Sequence, residues 1–238
     1  MKTYKHIFEE LLKEENITQC FHDAAKRKTT RPEVARVLKE EREVGNDRPE
    51  PQCLQEHVKA LQKMLEEETY QPPEHKKMLI NEYSCGKVRE IIKPEFQYEQ
   101  VVHHCIIKQL QPIVLHGLYE HALGSIPNRG CHSGKKQVEK WIKGYRGKKF
   151  YILKADVRHC FDTEDIRVIE TKLKRVIKDE RFVRLCSTVM EHEATMKPPE
   201  FDREWIEDEQ WKDTEFLSGL PLGFVTSQWF TQLNYKEL

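Results

Sequence analysis

Apolar positions recur at helical spacing along most of the chain. Within residues 3–15, Ile7, Phe8, Leu11 and Leu12 fall on one face, the mark of a helix with one buried side. A second helix starts at Asn16 and Ile17, carries Ile17, Phe21, Ala24 and Ala25 inward, and closes on the basic cluster Lys26, Arg27, Lys28 and Arg31. Pro32 suits a first helical turn, and Val34, Val37 and Leu38 continue it. Residues 45–51 hold Gly, Asn, Asp and two prolines, so they read as a loop. Leu54, Val58, Leu61, Met64 and Leu65 predict a further helix over 54–65.

The period then changes. Residues 78–83 and 87–93 read as two strands around a turn at Ser84, Cys85 and Gly86, a β-hairpin. Residues 98–118 predict a long helix with a break at Pro112. A glycine-rich loop over 123–134 and a helix over 135–142 follow. Residues 150–155 are hydrophobic and β-favouring and run into Asp156. Asp162 and the acidic residues after it read as cap and first turn of a helix over 166–177, and another helix covers 180–190. Residues 194–215 form an acidic hairpin or a mobile insertion. Gly219, Pro221 and Gly223 predict a tight turn, and Thr226 or Ser227 caps the helix carrying Trp229, Phe230 and Leu233.

Charge changes this picture only locally. The 238 residues hold 40 Lys plus Arg and 40 Asp plus Glu, so the formal net charge is zero, and no global basic field announces a polyanion partner. The distribution is uneven. Residues 129–149 hold eight basic residues and one acid, whereas residues 191–215 hold ten acids and three bases. Separated fields let one side face a polyanion. The seven cysteines form no CxxC pair, which favours reduced thiols and a cytoplasmic setting over a disulfide framework or zinc site. No apolar run reaches the roughly 18 residues of a membrane span.

Four places carry candidate chemistry. Asp156 is a carboxylate at the end of a hydrophobic strand, expensive if buried alone and useful if it faces Mg²⁺. On the second hairpin strand Lys87, Arg89 and Lys93 share a face by period two; they are a solvated face or a clamp for phosphate. Arg129, Lys135 and Lys136 flank the glycine-rich loop and the helix after it, a fair place for phosphate contacts. The adjacent His103 and His104 cannot both face one metal and read as packing or surface residues.

Three stretches in order, KVREIIKP at 87–94, LKADVRHCFD at 153–162 and GLPLGFVTSQWF at 219–230, resemble the reverse transcriptase family. The resemblance is to its bacterial branch of group II intron, retron and diversity-generating retroelement enzymes. It covers nearly the whole chain, since 16–28, 70–73, 101–113 and 124–136 are also similar to that family. It implies an α+β fold: a helical N-terminal region over 1–75, fingers with a β-hairpin over 76–149, and a truncated polymerase palm over 150–238 that contains the acidic insertion.

The resemblance also implies roles. Asp156 matches the first catalytic aspartate, with Val157 beside it in a Mg²⁺ or Mn²⁺ site. Phe161 matches the aromatic gate that excludes a 2′-hydroxyl. Lys87 and Arg89 match cations on the nucleotide triphosphate. Pro221, Leu222 and Gly223 match the loop against nucleotide and template base. The implied partners are an RNA template, a DNA primer and dNTPs, and no membrane. Asp162 is a frequent family residue with a mainly structural role here.

Two departures matter. No Tyr-x-Asp-Asp occurs in the sequence, whereas nucleotidyl transfer uses two cations about 3.5–4 Å apart that a lone carboxylate cannot hold. The expectation is therefore a fingers-plus-partial-palm piece lacking the Tyr-x-Asp-Asp hairpin and thumb, inactive by itself, and a monomer or a dimer that hides its exposed palm edge. Leu222 stands where many reverse transcriptases carry Gln, which resembles the error-prone diversity-generating enzymes. The competing reading is a non-catalytic relative that binds RNA or serves phage defence.

Overall fold

The computed structural model describes residues 2–38, 53–75, 77–82, 86–157, 160–161, 163–195 and 219–237. In these the chain is mostly helical, with one two-stranded antiparallel sheet. The N-terminal helices are α1 (Ile7–Leu12), α2 (Glu14–Ala25), α3 (Pro32–Val37) and α4 (Leu54–Glu66). Strands β1 (Lys77–Glu82) and β2 (Lys87–Ile92) precede a π-helical turn (Phe96–Gln100) and α5 (Val101–Leu115). Then come α6 (Cys131–Gly144), α7 (Ile166–Val176), α8 (Glu180–Thr195) and α9 (Val225–Asn234), which ends in a 3₁₀ turn (Tyr235–Glu237).

Helix α5 is the hub. Val102, Cys105, Ile106, Leu110 and Val114 are fully enclosed on several of its sides, as in a helix inside a core rather than on its surface. It packs against α2 and α9, and α9 and α8 both pack on α7. Phe21, Leu61, Ile169, Phe182 and Phe230 fill the space between them.

Several boundaries differ from the sequence reading. The helix expected over 3–15 is split at Lys13, whose ψ of 130° is extended. Asn16, inside α2, turns back and donates its amide to Leu11 O at 2.9 Å, closing α1. Tyr4 leaves the helix altogether and forms a parallel bridge with Ile177. Pro112 does not break α5. It lies in the last turn, so the helix ends within one turn of it. The start of the long helix is displaced instead, because Tyr98 adopts φ +66° in the π-helical turn. Neither Thr226 nor Ser227 caps α9; Phe224 occupies the cap position without a side-chain bond.

The largest correction concerns residues 150–155. The strand expected there is not formed, and Tyr151 and Leu153 are 99% and 91% exposed. A β-favouring run becomes a strand only when a neighbour takes its N–H and C=O groups. Among the described residues no segment pairs with it. The palm-type strand with Asp156 at its end, and a dimer through its edge, therefore have no counterpart in the described sheet. Asp162 and the acidic stretch from residue 196 lie outside the described residues.

Candidate functional site

The three stretches singled out in the sequence meet at the turn of residues 219–223. Leu220 N–H donates to Phe161 O at 2.7 Å, and Gly219 N–H donates to Glu164 O at 3.0 Å. On the other side, Ile92 N–H, at the end of β2, donates to Leu222 O at 3.0 Å. The turn is thus tied by backbone to both partners. Gly219 and Gly223 have φ of +102° and +119°, a region costly for any residue with a Cβ. At Gly223 a Cβ would also stand 2.2 Å from Ile92 O, so glycine is required for this approach. Pro221 is buried and its carbonyl accepts from Ser227 Oγ at 2.9 Å; Leu222 is half-buried.

A cavity of about 320 Å³ opens beside Gly223 and Ile92. Lys28, Arg31 and Lys93 line it together with His103 and His104, and among the described residues no Asp or Glu does. Lys28 Nζ donates to Gln100 Oε1 at 2.6 Å. Burial, and then the Arg31 charge, lower the Lys28 ammonium pKa below the ordinary lysine value. A one-signed wall in a concave site attracts anions.

Behind the turn lies a buried polar network. Glu99 accepts from Glu95 N–H at 2.6 Å and is hydrogen-bonded to His75. His103 Nδ1 sits 2.6 Å from Thr226 Oγ1, and its Nε2 lies 3.9 Å from Glu99 Oε1. The rings of His75 and His103 both pack on Phe224. Burial lowers His103 below the ordinary histidine value despite the Glu99 charge, so it is neutral. Burial alone would raise Glu99, but the bonds from His103, His75 and the Glu95 backbone outweigh it, and its carboxyl titrates below the usual range. This network holds Phe224 and Thr226, the cap and first turn of α9, just beyond the 219–223 turn.

The remaining expected residues are distributed as follows. Phe161 is partly buried against the core, with its carbonyl engaged by the turn. Lys87 and Arg89 pair in register with Glu82 and Ile80 on the hairpin, whose base carries the bond to Leu222. Asp156 and Val157 are exposed. The negative charge of Asp156 reaches Cys160, whose thiol is raised first by burial, then by Glu164, and least by Asp156. Arg129 is turned inward, with Nη1 donating to the carbonyls of Tyr119, Glu120 and Ala122 at 3.1–3.3 Å. Lys135 and Lys136 are exposed on α6, which buries none of its residues. So the fold gathers Phe161, Pro221, Leu222, Gly223 and the hairpin base. In the sequence Lys28 and Arg31 mark only the end of a helix, and their clustering is the available signal. Glu164 carried no signal, because its role is a backbone carbonyl and a buried side chain bonded to Asn234.

Among the described residues no three His, Cys, Asp or Glu side chains gather as a metal-holding group, and no helix is long and apolar enough to cross a membrane. The described cysteines are free thiols.

No family model matches the chain. Over 189 residues it is 22% identical to the group II intron-encoded protein LtrA of Lactococcus lactis subsp. cremoris, which covers 77% of this chain and 28% of that protein. Over 108 residues it is 30% identical to nuclear intron maturase 1, mitochondrial, of Arabidopsis thaliana, covering 44% of this chain and 14% of that protein. The chain is thus distantly similar to a group II intron-encoded protein and to an intron maturase. It spans under a third of the length of these curated relatives.

Proposed function

We propose that the chain is the fingers and part of the palm of an RNA-directed DNA polymerase, a reverse transcriptase. The observation that carries this reading is the backbone junction of the 219–223 turn with Ile92 and Phe161. It brings together by backbone the base of the hairpin, the 219–223 loop and Phe161, the segments to which the resemblance assigns nucleotide contacts, and this supports the reading. Distant kinship to intron-encoded proteins supports the same reading.

In this reading Lys87 and Arg89 hold the triphosphate, since guanidinium and ammonium groups suit phosphate oxygens. Phe161 lies under the sugar, and Pro221, Leu222 and Gly223 bound the base pair. Asp156, with the Val157 carbonyl beside it, offers the hard oxygen donors that Mg²⁺ prefers. Bound there, the ion would polarise phosphate oxygens and lower the charge repelling an attacking 3′-hydroxyl. With no Tyr-x-Asp-Asp in the sequence, this chain does not extend a primer by itself. Lys28, Arg31, Lys135 and Lys136 contact the RNA template backbone.

The test is nucleotide binding by this chain in the presence of Mg²⁺. dGTP binds about tenfold more tightly than GTP, and Phe161→Ala removes the difference. Equal affinities in the unaltered chain sink the gate assignment. The exposed setting of Asp156 favours a second reading, a non-catalytic RNA-binding relative. RNA binding with no measurable dNTP binding puts that reading first.

A further inference from the structure

The charge along the cavity beside Gly223 changes sign. On the Gly223 side Lys28, Arg31 and Lys93 line it, and among the described residues no carboxylate does. The same three cations border an adjoining cavity of about 470 Å³, where Arg36 joins them and Glu33, Glu74 and Glu95 also line the wall. A group entering from Gly223 therefore meets cations first and carboxylates beyond them.

The cations have no acidic partner of their own. No ion pair among the described residues includes Lys28, Arg31 or Lys93. Lys28 is bonded to a neutral amide, its Nζ donating to Gln100 Oε1 at 2.6 Å. After burial, the charge that disfavours its ammonium is Arg31, and no carboxylate offsets it. His104 feels the same field: burial lowers it, Asp23 partly offsets this, and Lys28 lowers it further. Asp23 is itself bonded to Lys26 at 2.9 Å.

The arrangement is held in place before any ligand arrives. Gln100 Nε2 donates to Pro94 O at 2.8 Å, tying Lys28 to the chain just after β2. Lys28 N–H donates to Ala25 O at 2.8 Å and Arg31 N–H to Lys28 O at 2.9 Å, so successive turns fix both residues. An ammonium has three donors; Gln100 takes one at Lys28 and leaves two. Arg31 adds a planar fork suited to phosphate oxygens.

The change of sign selects the kind of phosphate. A backbone running through both cavities would carry phosphates past three carboxylates, where like charge repels. A strand that ends at Lys28 and Arg31 avoids them. A phosphodiester within a strand carries one negative charge, whereas a terminal phosphate monoester carries about −1.5 to −2 near neutral pH, a better match for three cations.

We propose that Lys28, Arg31 and Lys93 form a pocket for the terminal 5′-phosphate of an RNA strand, with the strand leaving on the Gly223 side. This deepens the RNA-binding reading above and rests on it.

The experiment measures fluorescence anisotropy of a single-stranded RNA decamer, labelled at its 3′ end, with the whole chain at fixed salt. The decamer carries either a 5′-phosphate or a 5′-hydroxyl. The 5′-phosphate form binds about tenfold more tightly. Arg31→Gln with Lys93→Gln, both at exposed positions, brings that ratio to about one, with the urea midpoint of the chain unchanged. Lys148→Gln with Lys149→Gln, on an exposed stretch, keeps the ratio at about ten. Equal binding of the two decamers by the unaltered chain overturns the pocket and leaves the RNA-binding reading standing, as does a ratio that survives Arg31→Gln with Lys93→Gln. Binding of neither decamer overturns both. Displacement of the 5′-phosphate decamer by AMP at equal concentration also overturns the proposal, and reassigns the pocket to a free mononucleotide.

Discussion

Gly223 concentrates two separate demands in one residue. Its backbone sits at φ +119°, and the space where a Cβ would go is filled by Ile92 O. Gly86, at φ +68° in the hairpin turn, has the first demand without the second, since nothing lies within 4 Å of its would-be Cβ. Gly86→Ala is expected to cost about 1 kcal/mol, the left-handed penalty alone. Gly223→Ala costs about 3 kcal/mol or more, because strain and displacement of β2 add. Urea denaturation of the two variants checks this, and equal costs would show that the turn does not press on the hairpin. Glu99 and His103 make a second prediction at this scale. Glu99 titrates below the ordinary carboxylate value, so its stabilisation is present above that value and lost as pH falls through the folded pKa. His103, lowered by burial, resists protonation in the folded chain, so stability falls as pH drops below 6.5. The two act in the same direction. The melting temperature declines on acidification from neutral pH, and Glu99→Gln flattens the lower part of that decline.

At the scale of elements, each helix was legible where local chemistry and packing agree. Apolar spacing in 54–65 and 166–177 predicts helices, and both form within one residue of those bounds. The N-terminus of α7 is set locally: Asp165 accepts from Arg167 N–H at 2.9 Å. Asp165→Ala is expected to cost about 1 kcal/mol, read as a shifted urea midpoint with unchanged slope. Where a distant contact intervenes, the reading fails. Tyr4 is drawn out of a helix by Ile177. Thr226 and Ser227 have cap-forming side chains, but His103 and Pro221 O occupy them. Residues 150–155 have strand composition and no strand, because pairing is a property of two segments and composition belongs to one.

The described residues form a helical core around α5 with a hairpin attached at its base. Both faces of that hairpin are open, with Leu79 69% and Ile80 41% exposed on opposite sides. A two-stranded hairpin is marginal alone, so its bond to Leu222 matters to the whole. The basic wall of Lys28, Arg31 and Lys93 also exists only at this scale, since the connection between α2 and α3 meets the chain just after β2 there. If RNA uses that wall, Lys28→Gln with Arg31→Gln lowers affinity for single-stranded RNA. It also reduces the slope of log affinity against log salt by about one to two. An unchanged slope removes the wall from the interface.

The sequence by itself determined which residues are apolar at helical period, which glycines and prolines punctuate the chain, and which three stretches resemble a known family. These follow from local rules, because a helix satisfies its own backbone and its pattern shows one buried face. Tertiary structure alone decided that the 219–223 turn is held between Ile92 and Phe161, that Arg129 turns inward, and that Lys28 and Arg31 join Lys93 at one cavity. Those outcomes depend on partners more than a hundred residues away or on backbone groups that every residue carries, and neither leaves a mark in local composition.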